Sequence, residues 1–308
     1  VSAPAVICRG LRKTYGETVA VKHLDLEIQR GECFGLLGPN GAGKTTTVEI
    51  LEGLTAPDAG EVEILGMRWE EAEREIRPRL GIQLQETRLT ERQRVEEAVR
   101  LFRSFYPSGP TVDELISRVQ LGEKRRTYVK DLSGGQRQRL SVACALAGQP
   151  DILFLDEPTT GLDPQSRRAL WQVCEEFRAE GGTILLTTHF MDEAEKLTDR
   201  VAIMDHGEIL VQGSPRELID TLGGAYVIEL TPTVPVGDGE LAALPGVRRV
   251  DQTGSGDWLL TADELHRPLP ALIDLLGGKG GGLSALTTHR ATLDDVFLAQ
   301  TGRQLRDE

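Results

Sequence analysis

The chain has 308 residues, room for one large domain and a small one, and a net charge of −13, which works against a protein held to nucleic acid by nonspecific attraction. Its four cysteines (Cys8, Cys33, Cys144, Cys174) are scattered without C-x-x-C spacing, mostly inside apolar runs, and read as reduced core residues rather than disulfides or a zinc site. No stretch approaches the roughly 18 apolar residues that span a bilayer, and the N-terminus lacks a basic-then-apolar export signal, so a cytoplasmic chain is expected and another chain must span any membrane involved.

In chain order, Ala5 to Arg9 reads as a short strand and Leu24 to Ile28 as a half-buried one, alternating apolar and charged residues. Between them Tyr15, in KTYG, suits core, edge packing, or a flat face for stacking a base. Cys33 to Leu37 is an apolar run that leads into Gly38, Pro39, Asn40, Gly41, Ala42, Gly43, Lys44, Thr45 and Thr46, and then into the helical pattern of Thr47, Val48, Ile50 and Leu51. Strand, glycine-rich loop, helix is the context of a Walker A phosphate loop. The glycines let successive N–H groups converge on an anion, Lys44 supplies a charge for the β/γ-phosphates, and the Thr45 hydroxyl suits Mg²⁺.

Glu61 to Leu65 reads as a further strand between Gly60 and Gly66, and Leu80 to Leu84 as another that runs into Gln85. From Arg92 to Tyr106, and again over Val112, Leu115, Ile116 and Val119, apolar residues recur at helical spacing, so a helical insert interrupts the α/β core. Lys124, Arg125 and Arg126 read as a solvated turn within it. The insert ends at Leu132 to Gln136, LSGGQ, where Ser133, Gly134, Gly135 and Gln136 open a helix carrying Leu140, Ala143, Cys144 and Ala147 on one face. That is a second anion-binding helix start, or a simple Ser133 cap.

Ile152 to Leu155 is a continuous apolar strand ending in Asp156 and Glu157, carboxylates placed where an open parallel sheet meets its ligand. Asp156 suits Mg²⁺ held through water, and Glu157 suits a base for the attacking water. Thr183 to Thr188 is the next strand, with His189 at its end, expected to act at the γ-phosphate; His206 reads as a turn residue in DHG, and His23, His266 and His289 as surface or turn residues without partners.

After a helix from Arg216 to Leu222 a fresh unit begins: strands at Ala225 to Leu230, Val247 to Val250, Trp258 to Thr261 and Leu283 to Thr287, and helices at Leu269 to Leu276 and Leu293 to Thr301. The alternation suggests a small α+β sandwich, and Gly277 to Gly282, GGKGGG, reads as a flexible loop.

Together these residues resemble the ATPase subunits of ABC transporters over roughly Ala5 to Leu222, with LSGGQ the specific part. The resemblance implies a P-loop ABC-type core with an antiparallel β edge and a helical subdomain over about 86–150, within an ATP-binding domain spanning 1–222; residues 223–308, beyond it, read as an α+β accessory domain that holds the dimer together, regulates it or binds the membrane partner, with dimer support or regulation preferred. By the same resemblance Tyr15 is the adenine-stacking tyrosine, Gln85 the Q-loop glutamine that touches Mg²⁺ (Gln83 standing two positions before it in GIQLQE), Asp156 and Glu157 the Walker B pair, Asp163 in GLDP the D-loop aspartate that couples the dimer, and His189 the switch histidine. Thr292 to Gly302, TLDDVFLAQTG, is similar to the ends of daunorubicin-resistance type drug-export ATPases.

The implied function is ATP hydrolysis with Mg²⁺, powering export of a hydrophobic compound. The implied partners are a second copy, paired head to tail on ATP so that Ser133 to Gln136 complete the other copy's pocket, and a separate transmembrane permease that holds the chain to the inner face of the cell membrane. A soluble ABC ATPase of translation or DNA repair is the rival. The repair type splits its Walker motifs around a long coiled coil and the translation type carries two ATPase units; neither pattern occurs here.

Overall fold

A computed structural model of the chain describes residues 3–84, 89–252 and 256–301. Contacts divide the chain into two compact units, Val1–Gln212 and Gly213–Glu308.

The first unit begins β1 (Val6–Tyr15), β2 (Thr18–Ile28), β3 (Cys33–Leu37), α1 (Lys44–Leu51), β4 (Ala59–Ile64), β5 (Met67–Arg68), α2 (Trp69–Ile76) and β6 (Leu80–Gln83). The helical insert follows as α3 (Val95–Arg103), α4 (Val112–Arg118) and α5 (Gly134–Ala145). The unit closes with β7 (Ile152–Asp156), α6 (Pro164–Ala179), β8 (Thr183–Thr188), α7 (Met191–Leu197), β9 (Arg200–Asp205) and β10 (Glu208–Gly213).

Strands in the order β10-β9-β3-β8-β7-β6 make one sheet, parallel across β9, β3, β8, β7 and β6. Strands β3, β7 and β8 are buried from end to end, which is why apolar residues run without a break through β3, through β7 as far as Leu155 and through the middle of β8. Their side chains alternate between two cores. Phe34, Leu36, Phe154 and Leu185 pack with α1 and the antiparallel strands. Leu153, Leu155, Ile184 and Leu186 pack with α5, α6 and the helices of the insert. The alternation also divides the polar strand ends: Asp156 and Thr187, register partners in β7 and β8, continue the α1 side.

The antiparallel sheet runs β2-β1-β4-β5. Strand β1 continues past Arg9, where the sequence pattern stops, to Tyr15; register shifts between Cys8 and Leu11 and again before Lys13 break the two-residue alternation without ending the pairing.

The second unit contains α8 (Pro215–Asp220), β11 (Tyr226–Pro232), α9 (Asp238–Ala242), β12 (Val247–Gln252), β13 (Trp258–Ala262), α10 (Pro268–Gly278), β14 (Leu283–Arg290) and α11 (Leu293–Thr301). Its sheet is antiparallel, in the order β12-β13-β11-β14, and Ile228, Leu230, Trp258 and Leu260 pack against Leu241, Leu272 and Leu276. Two sequence expectations change here. Gly277 and Gly278 finish helix α10, and Lys279 is fastened to Glu240 Oε2 at 2.6 Å and Pro235 O at 3.3 Å, so the start of GGKGGG is anchored rather than loose. The histidines have partners: His289 Nε2 lies 3.0 and 3.1 Å from the two carboxylate oxygens of Asp295, which in turn accepts from Thr292 N at the start of α11, His266 Nδ1 lies 3.3 Å from Glu264 Oε2, and in the first unit His23 Nε2 lies 3.6 Å from Asp25 Oδ2.

The four cysteines are free and buried. Burial pushes the thiols of Cys8, Cys33 and Cys144 up to about 12 and that of Cys174 well above its ordinary value, so none is a reactive thiolate. Among the described residues no helix is long and apolar enough to cross a membrane.

Candidate functional site

The loop between β3 and α1 is shaped by the protein's own backbone. Gly38 and Gly43 have φ of 149° and 103°, and a Cβ on either would overlap a carbonyl oxygen, that of Met204 in β9 or of Ala20 in β2. Gly41, at φ 79°, has open space where its Cβ would stand, so only its left-handed backbone calls for glycine. The first turn of α1 has no side-chain cap, leaving its N–H groups to a ligand. Lys44 is 5% exposed and curls over the loop: Nζ donates to Gly38 O at 2.7 Å and Pro39 O at 2.9 Å.

Three further groups meet Lys44 at the carboxyl end of the parallel sheet. Glu157 Oε1 lies 3.9 Å from Lys44 Nζ and 3.3 Å from His189 Nδ1, the latter without the alignment of a hydrogen bond. Glu157 Oε2 accepts from Thr160 Oγ1 at 3.2 Å. Asp156 is 4% exposed, and burial raises its pKa against the lowering effects of a Thr187 hydrogen bond and of Lys44. An ionised carboxylate so enclosed calls for positive charge, and the site fits a phosphate chain with a divalent cation: N–H groups and Lys44 for the anion, Asp156 for the metal.

Thr187, which the sequence reading passes over, ties these residues together. Its Oγ1 donates to Asp156 Oδ1 and accepts from Glu157 N at 3.0 Å, and Glu157 N also reaches Thr187 O at 3.2 Å. Three of the six residues of β8 are threonines, Thr183, Thr187 and Thr188, so the sequence does not single Thr187 out. Glu52, just past the end of α1, carries no signal in the sequence: it is 1% exposed, neither carboxylate oxygen has a hydrogen-bond partner, and burial with the nearby Asp156 and Glu49 charges pushes its pKa up to about 8.

Ser133 to Gln136 are held differently. Ser133 caps α5, with Gln136 N donating to Ser133 Oγ at 3.3 Å and Ser133 N donating to Gln136 Oε1 at 3.1 Å. Ser133 and Gly134 are exposed, whereas Gly135 is buried where a Cβ would overlap Ser166. Ser166 belongs to the turn capped by Asp163, whose carboxylate accepts from Gln165 N, Ser166 N and Ser166 Oγ; these bonds, the Ser166 hydroxyl first, lower its pKa. The signature turn and the Asp163 turn are thus packed neighbours.

Tyr15 ends β1 as a residue 48% exposed, with Lys13 Nζ 5.4 Å from the ring centroid, a flat face for a base. Gln85 lies outside the described residues. Gln83 ends β6 fully buried, with Nε2 donating to Leu84 O at 2.6 Å. A cavity of about 530 Å³ lies between the end of α1, β4 and α2, lined by Gly53, Trp69 and Arg77 among others; none of the site residues faces it.

Comparison with known proteins bears on this site. Residues 21–160 match the family described as "ABC transporter". The chain is 42% identical over 310 aligned residues to the Nod factor export ATP-binding protein I of Cupriavidus pinatubonensis, covering 97% of this chain and 91% of that protein. Among solved structures, an ATP-binding subunit of an ABC transporter matches with a TM-score of 0.65 at 27% identity, over 71% of this chain and 93% of its own. The dimeric, post-hydrolysis state of the ATP-binding cassette MJ0796, bound to ADP and Pi, matches with a TM-score of 0.63 at 28% identity, over 68% and 98%.

Proposed function

Since this chain belongs to the family of ATP-binding subunits of ABC transporters, and is an ATPase of that fold, we propose that it powers export of a hydrophobic compound through a separate membrane-spanning subunit. The observation that carries the catalytic part is the meeting of Lys44, Glu157 and His189 around Glu157 Oε1. In this reading ATP lies along the loop from Gly38 to Thr46 with its adenine on Tyr15. Lys44 exchanges the carbonyls of Gly38 and Pro39 for β/γ-phosphate oxygens, Glu157 takes the proton of the attacking water, and His189 faces the γ-phosphate. Thr45, Asp156 and Gln85 would hold Mg²⁺, which supplies charge neutralisation on the phosphates.

One such pocket leaves the outer side of the γ-phosphate open, and the turn at Ser133 to Gln136, exposed at Ser133 and Gly134, offers a second helix start to close it from a neighbouring copy. Two copies therefore pair head to tail, with Asp163 coupling the two pockets. The likeness to a cassette solved as a dimer supports this pairing, and relatives named for Nod factor export support the direction of transport. The tail from Thr292 to Gly302 adds the likeness to daunorubicin-resistance type exporters. The C-terminal domain supports or regulates the dimer, and the membrane subunit holds the assembly at the inner face of the cell membrane.

Glu157→Gln tests the proposal: with ATP and Mg²⁺ the variant accumulates as a dimer on size exclusion while wild type cycles back to monomer. A variant that stays monomeric at saturating ATP would sink the shared-pocket reading. Purified from membranes in mild detergent, the tagged chain brings down a polytopic membrane protein; recovery without one would favour the translation or repair class.

A further inference from the structure

We infer that Thr187 is a positioning residue for the hydrolytic site, its single hydroxyl setting both the oxygen that Asp156 presents to the metal and the backbone turn that aims Glu157. The inference rests on the roles proposed above for those two residues.

Thr187 is fully buried at the end of β8, on the sheet face that also carries Phe154 and Leu185. A valine would fill such a place with the same shape and no polar group, so the hydroxyl needs partners to offset its burial. It has two. A hydroxyl carries one proton and two lone pairs, and here the proton goes to Asp156 Oδ1 while a lone pair accepts from Glu157 N. The donated bond engages Oδ1 and leaves Oδ2 as the oxygen that Thr187 does not hold. The accepted bond acts on the backbone. Glu157 has φ of 45°, a left-handed conformation that costs a non-glycine residue about 1–3 kcal/mol and persists only when its surroundings fix it. Two bonds from one N–H, to the hydroxyl and the carbonyl of Thr187, do the fixing. One side chain thus links the metal carboxylate, the base and the strand that leads into His189, two residues on.

The test compares Thr187→Val, which keeps shape and removes the hydroxyl, with Thr187→Ser, which restores it. Each full-length variant is measured for Mn²⁺ binding in the presence of ATP, by the loss of the free-ion electron paramagnetic resonance signal, for kcat and KM, and for melting temperature. Thr187→Val weakens Mn²⁺ binding and lowers kcat, each by about tenfold, with KM for ATP little changed, the scale of one lost hydrogen bond to a charged group. Thr187→Ser recovers most of both.

Wild-type Mn²⁺ binding and kcat in Thr187→Val overturn the inference. A lowered melting temperature in both variants without the split between them overturns it as well, since that marks a packing role. Failure of the underlying reading looks different: Glu157→Gln would then turn over ATP like wild type, whatever Thr187 does.

Discussion

The first unit contains two glycine-bearing helix starts, at Lys44 and at Gly134, and they are built in opposite ways. The first has no side-chain cap and takes its shape from distant backbone, with Ala20 and Met204 crowding Gly43 and Gly38. Its lysine is buried, and Glu157 and His189 reach it from the ends of β7 and β8. The second is capped within four residues by Ser133 and Gln136 and faces outward at Ser133 and Gly134. A site assembled from several strands works only inside its own fold. A turn that satisfies itself locally is free to serve as a surface for something brought to it, which is the physical basis for placing it against a neighbour's nucleotide.

The comparison breaks most sharply at the chemistry. Glu157→Gln lowers kcat by about 10²–10⁴-fold, with ATP affinity near wild type in a binding titration; a comparable kcat would remove the general base from the buried half. Next come the glycines. Gly43→Ala drives a Cβ into Ala20 O and destabilises the chain by about 3 kcal/mol in urea melts. Gly134→Ala meets nothing within 4 Å and changes stability by no more than about 1 kcal/mol. Equal costs would show that both turns depend on the fold alike.

The buried half also carries a pH signature. Glu52 is raised from 4.5 to about 8, so the folded chain keeps its proton after the unfolded chain has lost it. The stability it contributes is full below the unfolded value and is lost as pH rises through about 8. Relative to Glu52→Gln, wild type therefore loses up to about 1.4 kcal/mol per pH unit between those limits. Parallel stability curves for the two proteins from pH 5 to 8 would show that the carboxyl is already ionised. The smallest effect belongs to the exposed turn: Ser133→Ala costs about 1 kcal/mol as a lost helix cap, lowers turnover, and leaves nucleotide binding to the monomer unchanged. Weakened monomer binding would place Ser133 in its own chain's pocket.

The sequence by itself determined the elements whose signals are local. Apolar runs marked β3, β7 as far as Leu155 and the middle of β8, a glycine string marked the loop at Gly38, and Ser133 three residues before Gln136 marked a cap, because a strand buried on both faces and a capped first turn are set by neighbouring residues. Helix α6 goes unread in the sequence: Leu170, Val173, Cys174 and Phe177 keep helical spacing, but the charged residues between them dilute the stripe. Tertiary structure alone decided which polar residues share a space. Thr187 and Asp156 are 31 positions apart and meet only because β7 and β8 pair in parallel with that register. Glu52 is buried only because the core around α1 closes over it, and His289 finds Asp295 only when α11 folds back to β14. A hydrogen bond or a desolvated charge depends on distance in space, and separation along the chain does not encode it until the sheet is formed.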